Sequence, residues 1–203
     1  MIAIVDYGVG NLFSLKSSFS MIGEKAIVTS SEEEIRNADK IILPGVGAFG
    51  DAAEKLRQSG LDKVIISEAE NGKDIMGICL GMQLLFEKSY EYGEHNGLGL
   101  IKGEIVPMEG RLDKGLKIPH IGWNGLHFKK DSHLLKYINE NDCVYFVHSY
   151  FGIHCEDSLV ATAEYGEEVT AIVQKDNVMG CQFHPEKSGN IGLLILKAFC
   201  EGK

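Results

Sequence analysis

The chain has 203 residues, of which 44% are hydrophobic and 24% are charged, a mixture typical of a folded globular protein. Its formal net charge of −9 argues against nucleic acid as a main partner, because binding to phosphates requires a basic surface. No apolar stretch approaches the roughly 18 residues of a membrane helix. The five cysteines contain no C-x-x-C pair that would indicate a zinc site or a disulfide framework. We therefore expect a cytoplasmic protein with no membrane segment and no metal site.

The first half of the chain alternates short apolar runs with amphipathic segments. The apolar runs are rich in Ile and Val and predict strands that are covered on both faces, at 2–6, 25–29, 40–43 and 74–78. The amphipathic segments predict helices around 12–22, 31–37, 51–58 and 61–70. This alternation is typical of a parallel sheet with helices on both sides.

The second half is dominated by strand and turn patterns. Strands are predicted at 99–101, 117–119, 144–147, 160–163, 171–174 and 179–183, with one helix near 132–138. We interpret these strands as antiparallel additions to the parallel sheet, because no linker-like segment separates the halves. The sequence thus predicts one α/β domain over 1–203, which closes with a helix at 189–200 for which Ser188 is the expected N-cap.

Gly77-Ile78-Cys79-Leu80-Gly81 is the sharpest local pattern in the chain. A predicted strand ends at Ile78 and a helix pattern begins at once, as in a nucleophile elbow with Cys in place of Ser. Small residues on either side permit a tight turn that exposes the thiol, and the following helix N-terminus favours the thiolate. A buried structural cysteine is the alternative. For the other cysteines, core packing is expected at Cys143, Cys181 and Cys200 and is left open at Cys155.

A nucleophilic cysteine needs a base, and the strand pattern at 179–183 runs into His184-Pro185-Glu186. Proline ends the strand and fixes the relation between the two polar residues. A carboxylate beside an imidazole can orient it and stabilise its charged form. His148 also follows an apolar strand and is the rival base.

The loop Pro44-Gly45-Val46-Gly47 lies between a predicted strand and a predicted helix. Its glycines permit backbone orientations that aim amides at a developing negative charge, although the loop could also be an ordinary tight connection. Gly8-Val9-Gly10 lacks the third glycine of a dinucleotide motif, and no P-loop pattern occurs. We expect no cofactor.

These three motifs together resemble the class I (triad) glutamine amidotransferases, over nearly the whole chain. Four further segments resemble one branch of that family, the glutaminase subunits of imidazole glycerol phosphate synthase: 6–12, 120–124, 145–150 and 187–189. The resemblance implies a flavodoxin-like three-layer sandwich with a mainly parallel central sheet. It also implies hydrolysis of L-glutamine to glutamate and ammonia through a cysteine thioester.

The resemblance assigns roles to residues at the matching positions. Cys79 would be the nucleophile, His184 the general base and Glu186 its orienting partner. The oxyanion hole would be formed by the amide of Leu80 and one from the loop Gly45-Val46-Gly47. Substrate glutamine would contact Gln83 and the backbone at Ser149 and Tyr150, with Glu91 balancing its ammonium group.

The resemblance further implies a partner. The chain ends at Lys203, soon after its last predicted helix, so we expect the synthase activity on a separate (βα)8-barrel cyclase that takes up the ammonia in a heterodimer. That cyclase would make imidazole glycerol phosphate and an aminoimidazole carboxamide ribotide for histidine biosynthesis. Asn11, Trp123 and Lys187 are the candidate interface residues. The alternatives are the glutaminase of vitamin B6 synthesis, a cysteine peptidase or esterase of related fold, and a non-catalytic regulatory subunit.

Overall fold

A computed structural model describes residues 1–112 and 115–202. Among these residues the strands are β1 (Ile2–Val5), β2 (Ala26–Thr29), β3 (Lys40–Leu43), β4 (Asp74–Ile78), β5 (Phe86–Ser89), β6 (His95–Asn96), β7 (Ile101–Pro107), β8 (His120–Gly125), β9 (His127–Phe128), β10 (Cys143–His148), β11 (Tyr150–Ile153), β12 (Leu159–Glu164), β13 (Glu168–Lys175) and β14 (Val178–Cys181). The helices are α1 (Leu12–Met21), α2 (Glu32–Asn37), α3 (Phe49–Gln58), α4 (Leu61–Glu70), α5 (Leu80–Leu85) and α6 (Gly189–Glu201), with 3-10 turns at His133–Leu135 and Pro185–Lys187. No helix in the described ranges is long and apolar enough to cross a bilayer.

The main sheet has the strand order β2-β1-β3-β4-β14-β13-β12-β9. Its first five strands are parallel. The strands β13, β12 and β9 then add in antiparallel fashion. The predicted mainly parallel sheet with antiparallel additions is therefore confirmed. The strand predicted at 179–183 was expected among the antiparallel additions, and this part is wrong, because β14 pairs in parallel with β4.

Both faces of the parallel region are covered. Successive side chains of a strand point to opposite faces, and Ile2 and Ile4 of β1 pack in one core with residues of α1 and α6. Ala3 and Val5 pack in a second core with residues of α2, α3 and α4. This arrangement is the predicted three-layer α/β sandwich, and it explains why the strands read as continuous apolar runs.

The parallel strands bring several loops to one edge of the sheet. The carboxyl ends of β1, β3, β4 and β14 all point the same way, since each pairs in parallel with its neighbour. Tyr7, Pro44, Cys79 and Gln182 therefore follow their strands at the same edge. Ligands of open α/β sheets bind at this edge.

Of the strands in the described residues, six lie outside the main sheet, which the strands of the second half were predicted to extend; among these six, β5, β6 and β11 were not predicted as strands. β8 pairs with β10 in a two-stranded sheet, and β11, β7, β5 and β6 form a separate four-stranded sheet. The segment 117–119 is not a strand, and β8 begins only at His120. Proline lacks the N–H that a ladder requires, so Pro119 suits the position before a strand.

Two smaller predictions are also wrong, and a third holds only in part. The helix near 132–138 is only the 3-10 turn His133–Leu135, because the backbone bonds there, such as Lys136 N–H to the His133 carbonyl at 3.1 Å and Ile138 N–H to the Leu135 carbonyl at 3.2 Å, span three residues instead of four. Cys143 is exposed. Ser188 is the N-cap residue of α6, as predicted, yet its hydroxyl makes no capping bond to that helix and donates instead to the carbonyl of His184 at 2.7 Å.

Candidate active site

Cys79 occupies the sharp turn between β4 and α5. Its φ of 54° and ψ of −112° lie where residues with a side chain are rarely found. Its N–H donates to the carbonyl of Cys181 on the adjacent strand at 2.8 Å, and its own carbonyl accepts from Gln83 N–H at 3.1 Å. The chain therefore makes the tight strand-to-helix turn that the glycine spacing predicts, with the thiol at the carboxyl edge of the sheet.

The glycines beside Cys79 allow two backbones to touch. A Cβ on Gly81 would lie 1.8 Å from the carbonyl oxygen of Leu43, and one on Gly77 would lie 2.6 Å from the carbonyl oxygen of Gly81. Glycine is required here because of this close approach, which also brings the end of β3 against the turn.

The loop after β3 consequently packs on the cysteine turn. Gly45 is buried, and a Cβ there would lie 2.9 Å from the Cβ of Leu80. Val46 and Gly47 are exposed and line the same cavity as Cys79 and Leu80. The four residues predicted to form an oxyanion hole are thus brought together.

His184 lies at the end of β14 beside Cys79. The backbone N–H of His184 donates to the carbonyl of Tyr145 at 3.0 Å, and the ring Nδ1 lies 2.8 Å from Oε1 of Glu186. Burial lowers the pKa of His184, but hydrogen bonds to Cys79 and Glu186 and the charges of both raise it to about 9. An imidazolium held between a sulfur and a carboxylate is the arrangement that a thiolate nucleophile uses.

His148, the rival base, is bound elsewhere. Its Nδ1 lies 2.9 Å from the carbonyl oxygen of Tyr150, which can only accept, so Nδ1 carries the proton. Its Nε2 lies 3.1 Å from Nδ1 of His120. Burial lowers the pKa of His148 to about 3. Both ring nitrogens are occupied away from Cys79, so the geometry favours His184 as the base.

A cavity of about 580 Å³ opens in front of Cys79. Cys79 and His184 line it together with the four predicted glutamine contacts, Gln83, Glu91, Ser149 and Tyr150. This volume is in the range of small-molecule sites. In the described parts of the chain, no three His, Cys, Asp or Glu side chains are grouped as metal ligands would be.

Glu91, which was predicted to balance the substrate ammonium, also has a contact within the chain that the sequence did not predict. Its Oε2 accepts a hydrogen bond from the N–H of Phe49 at 2.6 Å, at the first residue of α3. Burial is the main cause of a raised pKa at Glu91. The carboxylate therefore links α3 to the cavity wall and brings a negative charge to it.

Two of the three candidate interface residues, Trp123 and Lys187, lie on one surface beside the cavity. Trp123 is 55% exposed and its ring lies edge-on to Tyr145 at 6.0 Å. The Nζ of Lys187 lies 6.0 Å from the same Tyr145 ring, so Trp123 and Lys187 share one surface. Lys187 also lines the cavity. Asn11 directly precedes α1 and is not among the residues that line the cavity; its neighbour Gly10 lies close to Pro44, since a Cβ there would come 3.1 Å from the Pro44 Cβ.

Two buried residues near the cysteine were missed in the sequence. The hydroxyl of Tyr7 donates to the carbonyl of Pro44 at 2.7 Å and so fixes the start of the glycine loop. Nε2 of Gln182 lies 3.7 Å from Sγ of Cys79. A signal for Gln182 was present, since it is a polar residue in the apolar run before His184.

Comparison with known proteins defines the class. The family model for glutamine amidotransferase class-I matches residues 3–200. A solved glutamine amidotransferase superposes with a TM-score of 0.77 at 17% identity, covering 99% of this chain and 98% of the other. PurLQS from Thermotoga maritima also gives 0.77, at 23% identity over 98% and 97%. The chain belongs to the class-I glutamine amidotransferase family.

Sequence relatives place it more narrowly. It is 51% identical to the imidazole glycerol phosphate synthase subunit HisH of Lactococcus lactis over 98% of both chains. It is 52% identical to HisH of Caldanaerobacter subterraneus, over 99% of this chain and 98% of the relative. For HisH of Bacillus subtilis the identity is 48%, over 98% and 95%. Within the family, the chain groups with the HisH subunits.

Proposed function

We propose that the chain is the glutaminase subunit of imidazole glycerol phosphate synthase, which hydrolyses L-glutamine and passes the ammonia to a separate cyclase. One observation carries the chemistry: Cys79, His184 and Glu186 form a continuous buried line that faces a cavity of suitable size. The full-length identity to HisH subunits supports the assignment to histidine biosynthesis.

Acylation begins with the Cys79 thiolate attacking the carboxamide carbon of glutamine. The oxyanion that forms accepts hydrogen bonds from the N–H of Leu80 and from one amide of the loop 45–47. Such donors act where charge develops and each contributes about 10²–10³ in rate. Loop and turn are held in contact by the close approach of Gly81 to Leu43.

Proton transfer falls to His184. As an imidazolium it donates a proton to the leaving nitrogen, and ammonia departs from a γ-glutamyl thioester on Cys79. The neutral imidazole then takes a proton from the water that hydrolyses the thioester, releasing glutamate. Glu186 holds Nδ1 at 2.8 Å, which fixes the ring and stabilises its charged form.

Glutamine binding uses the opposite wall of the cavity. The Nε2 of Gln83 is engaged with the Tyr150 carbonyl and with Gln182, so Gln83 offers its carbonyl oxygen to an N–H of the substrate. Glu91 supplies the negative charge that pairs with the substrate ammonium. The backbone at Ser149 and Tyr150 receives the polar α-substituents.

The partner would dock around the mouth of this cavity. The exposed Trp123 and Lys187 lie on one surface beside the site, and Asn11 follows Gly10, which lies close to Pro44 at the start of the glycine loop. We infer a heterodimer with the (βα)8-barrel cyclase, because ammonia released into neutral water would be protonated and lose its nucleophilicity. A cytoplasmic location is part of this proposal, and the five free thiols support it.

The alternative functions have less support. The relatives described above bear the HisH name across the whole chain, which favours histidine biosynthesis over vitamin B6 synthesis. A regulatory subunit would have no need of the buried Cys79–His184–Glu186 line. A peptidase is distinguished by cleaving peptides rather than free glutamine.

The test is glutamate release by three preparations: the chain alone, the chain with the barrel cyclase, and that complex with the cyclase's nucleotide substrate. We expect little hydrolysis by the chain alone and at least about a hundredfold stimulation in the full system, because glycines on both sides of Val46 allow a loop amide two orientations, between which the partner can select. Equal rates in all three would overturn the coupling to a cyclase.

A further inference from the structure

Two buried glutamine side chains connect the substrate wall to the nucleophile. Nε2 of Gln83 lies 3.1 Å from the carbonyl oxygen of Tyr150 and 3.0 Å from Oε1 of Gln182. Nε2 of Gln182 in turn lies 3.7 Å from Sγ of Cys79. Gln83 is 5% exposed and Gln182 is fully buried. This set of contacts, from Tyr150 through Gln83 and Gln182 to Cys79, is called the amide chain below.

The orientation of both amides follows from one end of the amide chain. A backbone carbonyl can only accept a hydrogen bond, so the nitrogen of Gln83 must face Tyr150. The second N–H of that nitrogen then donates a hydrogen bond to Gln182, whose side-chain oxygen must accept it. The nitrogen of Gln182 is left to face the sulfur. The amide chain therefore presents a donor, and not an acceptor, to Cys79.

We propose that Gln182 is a positioning residue that donates a hydrogen bond to the Cys79 thiolate and thereby holds it in the attacking position. This role rests on the proposed glutaminase function and adds a second donor to the sulfur, independent of His184. A donor in a buried site stabilises an anion more than it stabilises a neutral thiol. The amide remains a donor after His184 has lost its proton, so the sulfur keeps one hydrogen bond throughout the reaction.

In this geometry Gln83 has two roles, one in binding substrate and one in orienting Gln182. Its carbonyl oxygen is offered to substrate, while its N–H groups set the direction of Gln182. A change at Gln83 therefore alters the nucleophile as well as the affinity for glutamine. A side chain that served packing alone would be replaceable by any residue of the same shape.

The test measures alkylation of Cys79 by iodoacetamide between pH 5 and 10, without glutamine, in the full chain. Peptide mass mapping follows Cys79 and the exposed Cys143 in the same sample, so Cys143 is an internal control. Gln182→Met keeps the bulk and removes the donor. Gln182→Glu keeps the shape and places an anion against the sulfur.

We expect the midpoint of the Cys79 alkylation profile to rise by about one pH unit in Gln182→Met, a tenfold loss of thiolate, and by more in Gln182→Glu. The Cys143 profile should stay unchanged. Gln174→Glu on β13, the same change of an amide to an acid, should move neither profile. Gln83→Met should shift the Cys79 midpoint in the same direction by a smaller amount, and it serves if the Gln182 variants do not fold.

An unmoved midpoint in the folded Gln182 variants, or in Gln83→Met where these do not fold, would overturn the proposal. A Cys79 midpoint in Gln182→Glu equal to that of the parent chain would also overturn it, since that result would mean that Gln182 has a packing role alone. No glutamine is present, so such a failure leaves the glutaminase function standing. Conversely, a chain that never hydrolyses glutamine would refute that function whatever the alkylation profile shows.

Discussion

Nδ1 of His184 lies 2.8 Å from Oε1 of Glu186, and the two side chains are 4% and 1% exposed. Burying two ionisable groups is costly unless they are paired, because the interior cannot replace their hydration. Here the pairing extends to Cys79, and together these partners raise the pKa of His184 to about 9 although burial opposes the charge. The histidine is therefore charged in the folded chain under conditions where it would be neutral in the unfolded one.

This difference predicts a pH dependence of stability. A pKa of about 9 against an ordinary value of 6.5 means that the folded state binds more protons between these two limits. The contribution of His184 to the free energy of unfolding is complete below pH 6.5 and is lost as pH rises to 9. Its size is up to about 3 kcal/mol, at about 1.4 kcal/mol per unit of pKa. Urea unfolding at pH 6 and pH 9.5 should show this loss in the parent chain and not in His184→Gln. An equal pH dependence in both proteins would contradict it.

Substitution of the triad should give unequal losses. His184→Ala removes the group that moves protons in both half-reactions, and we expect kcat to fall by about 10³ or more. Glu186→Gln leaves the imidazole in place and removes only its orienting charge, so the loss should be smaller. Steady-state glutaminase kinetics of the two variants in the complex decide the order. A larger loss in Glu186→Gln would make the carboxylate a direct participant.

The contact between Gly81 and Leu43 predicts a separation of activity from stability. Gly81→Ala places a Cβ against the Leu43 carbonyl, so the glycine loop must move away from Cys79. Gly97→Ala creates a comparable clash, 2.1 Å from the carbonyl of Phe86 at the start of β5, away from the glycine loop. Both should lose about 1–3 kcal/mol in thermal unfolding. Only Gly81→Ala should lose glutaminase activity, and equal activities in the two variants would refute the role of this contact.

The surface at Trp123 should carry binding energy. Trp123→Ala removes a large exposed ring beside the cavity, and we expect the Kd for the barrel cyclase to rise at least about tenfold. Met21 is 73% exposed and ends α1, at the end of that helix away from Asn11. Met21→Ala is therefore the matched control and should leave the Kd unchanged. Titration calorimetry measures both. An unchanged Kd in Trp123→Ala would place the partner elsewhere.

The parallel half of the fold could be predicted because each strand is covered on both faces and reads as an unbroken apolar run. The boundaries of β3 and β4 agree with the prediction residue for residue. The strands that lie outside the main sheet were harder to predict. Whether β5 to β8 join the main sheet or form their own depends on which distant strand supplies the partner, and periodicity carries no such information.

The functional site also divides into residues that local sequence reveals and residues that depend on distant partners. Cys79, His184 and Glu186 could be located because glycines, a proline and short spacing mark them locally. Gln182 and Tyr7 act through partners that the fold supplies, Cys79 and Pro44. A polar residue within an apolar run marks Gln182 in the sequence but does not identify its partner, and nothing local marks Tyr7. Cys143 was expected in the core, and its exposure follows from its place at the first residue of β10 in the small two-stranded sheet.

The most direct test of the account compares the two nitrogen sources in Cys79→Ala. In the complex with the cyclase, the variant should lose synthesis from glutamine entirely and keep synthesis from added ammonium salts at raised pH, because the chemistry of the partner is untouched. Product formation from the cyclase's nucleotide substrate is measured with each source, beside the parent complex. Retention of glutamine-driven synthesis in Cys79→Ala would contradict the thioester on Cys79, and loss of ammonia-driven synthesis would contradict the division of labour between the two chains.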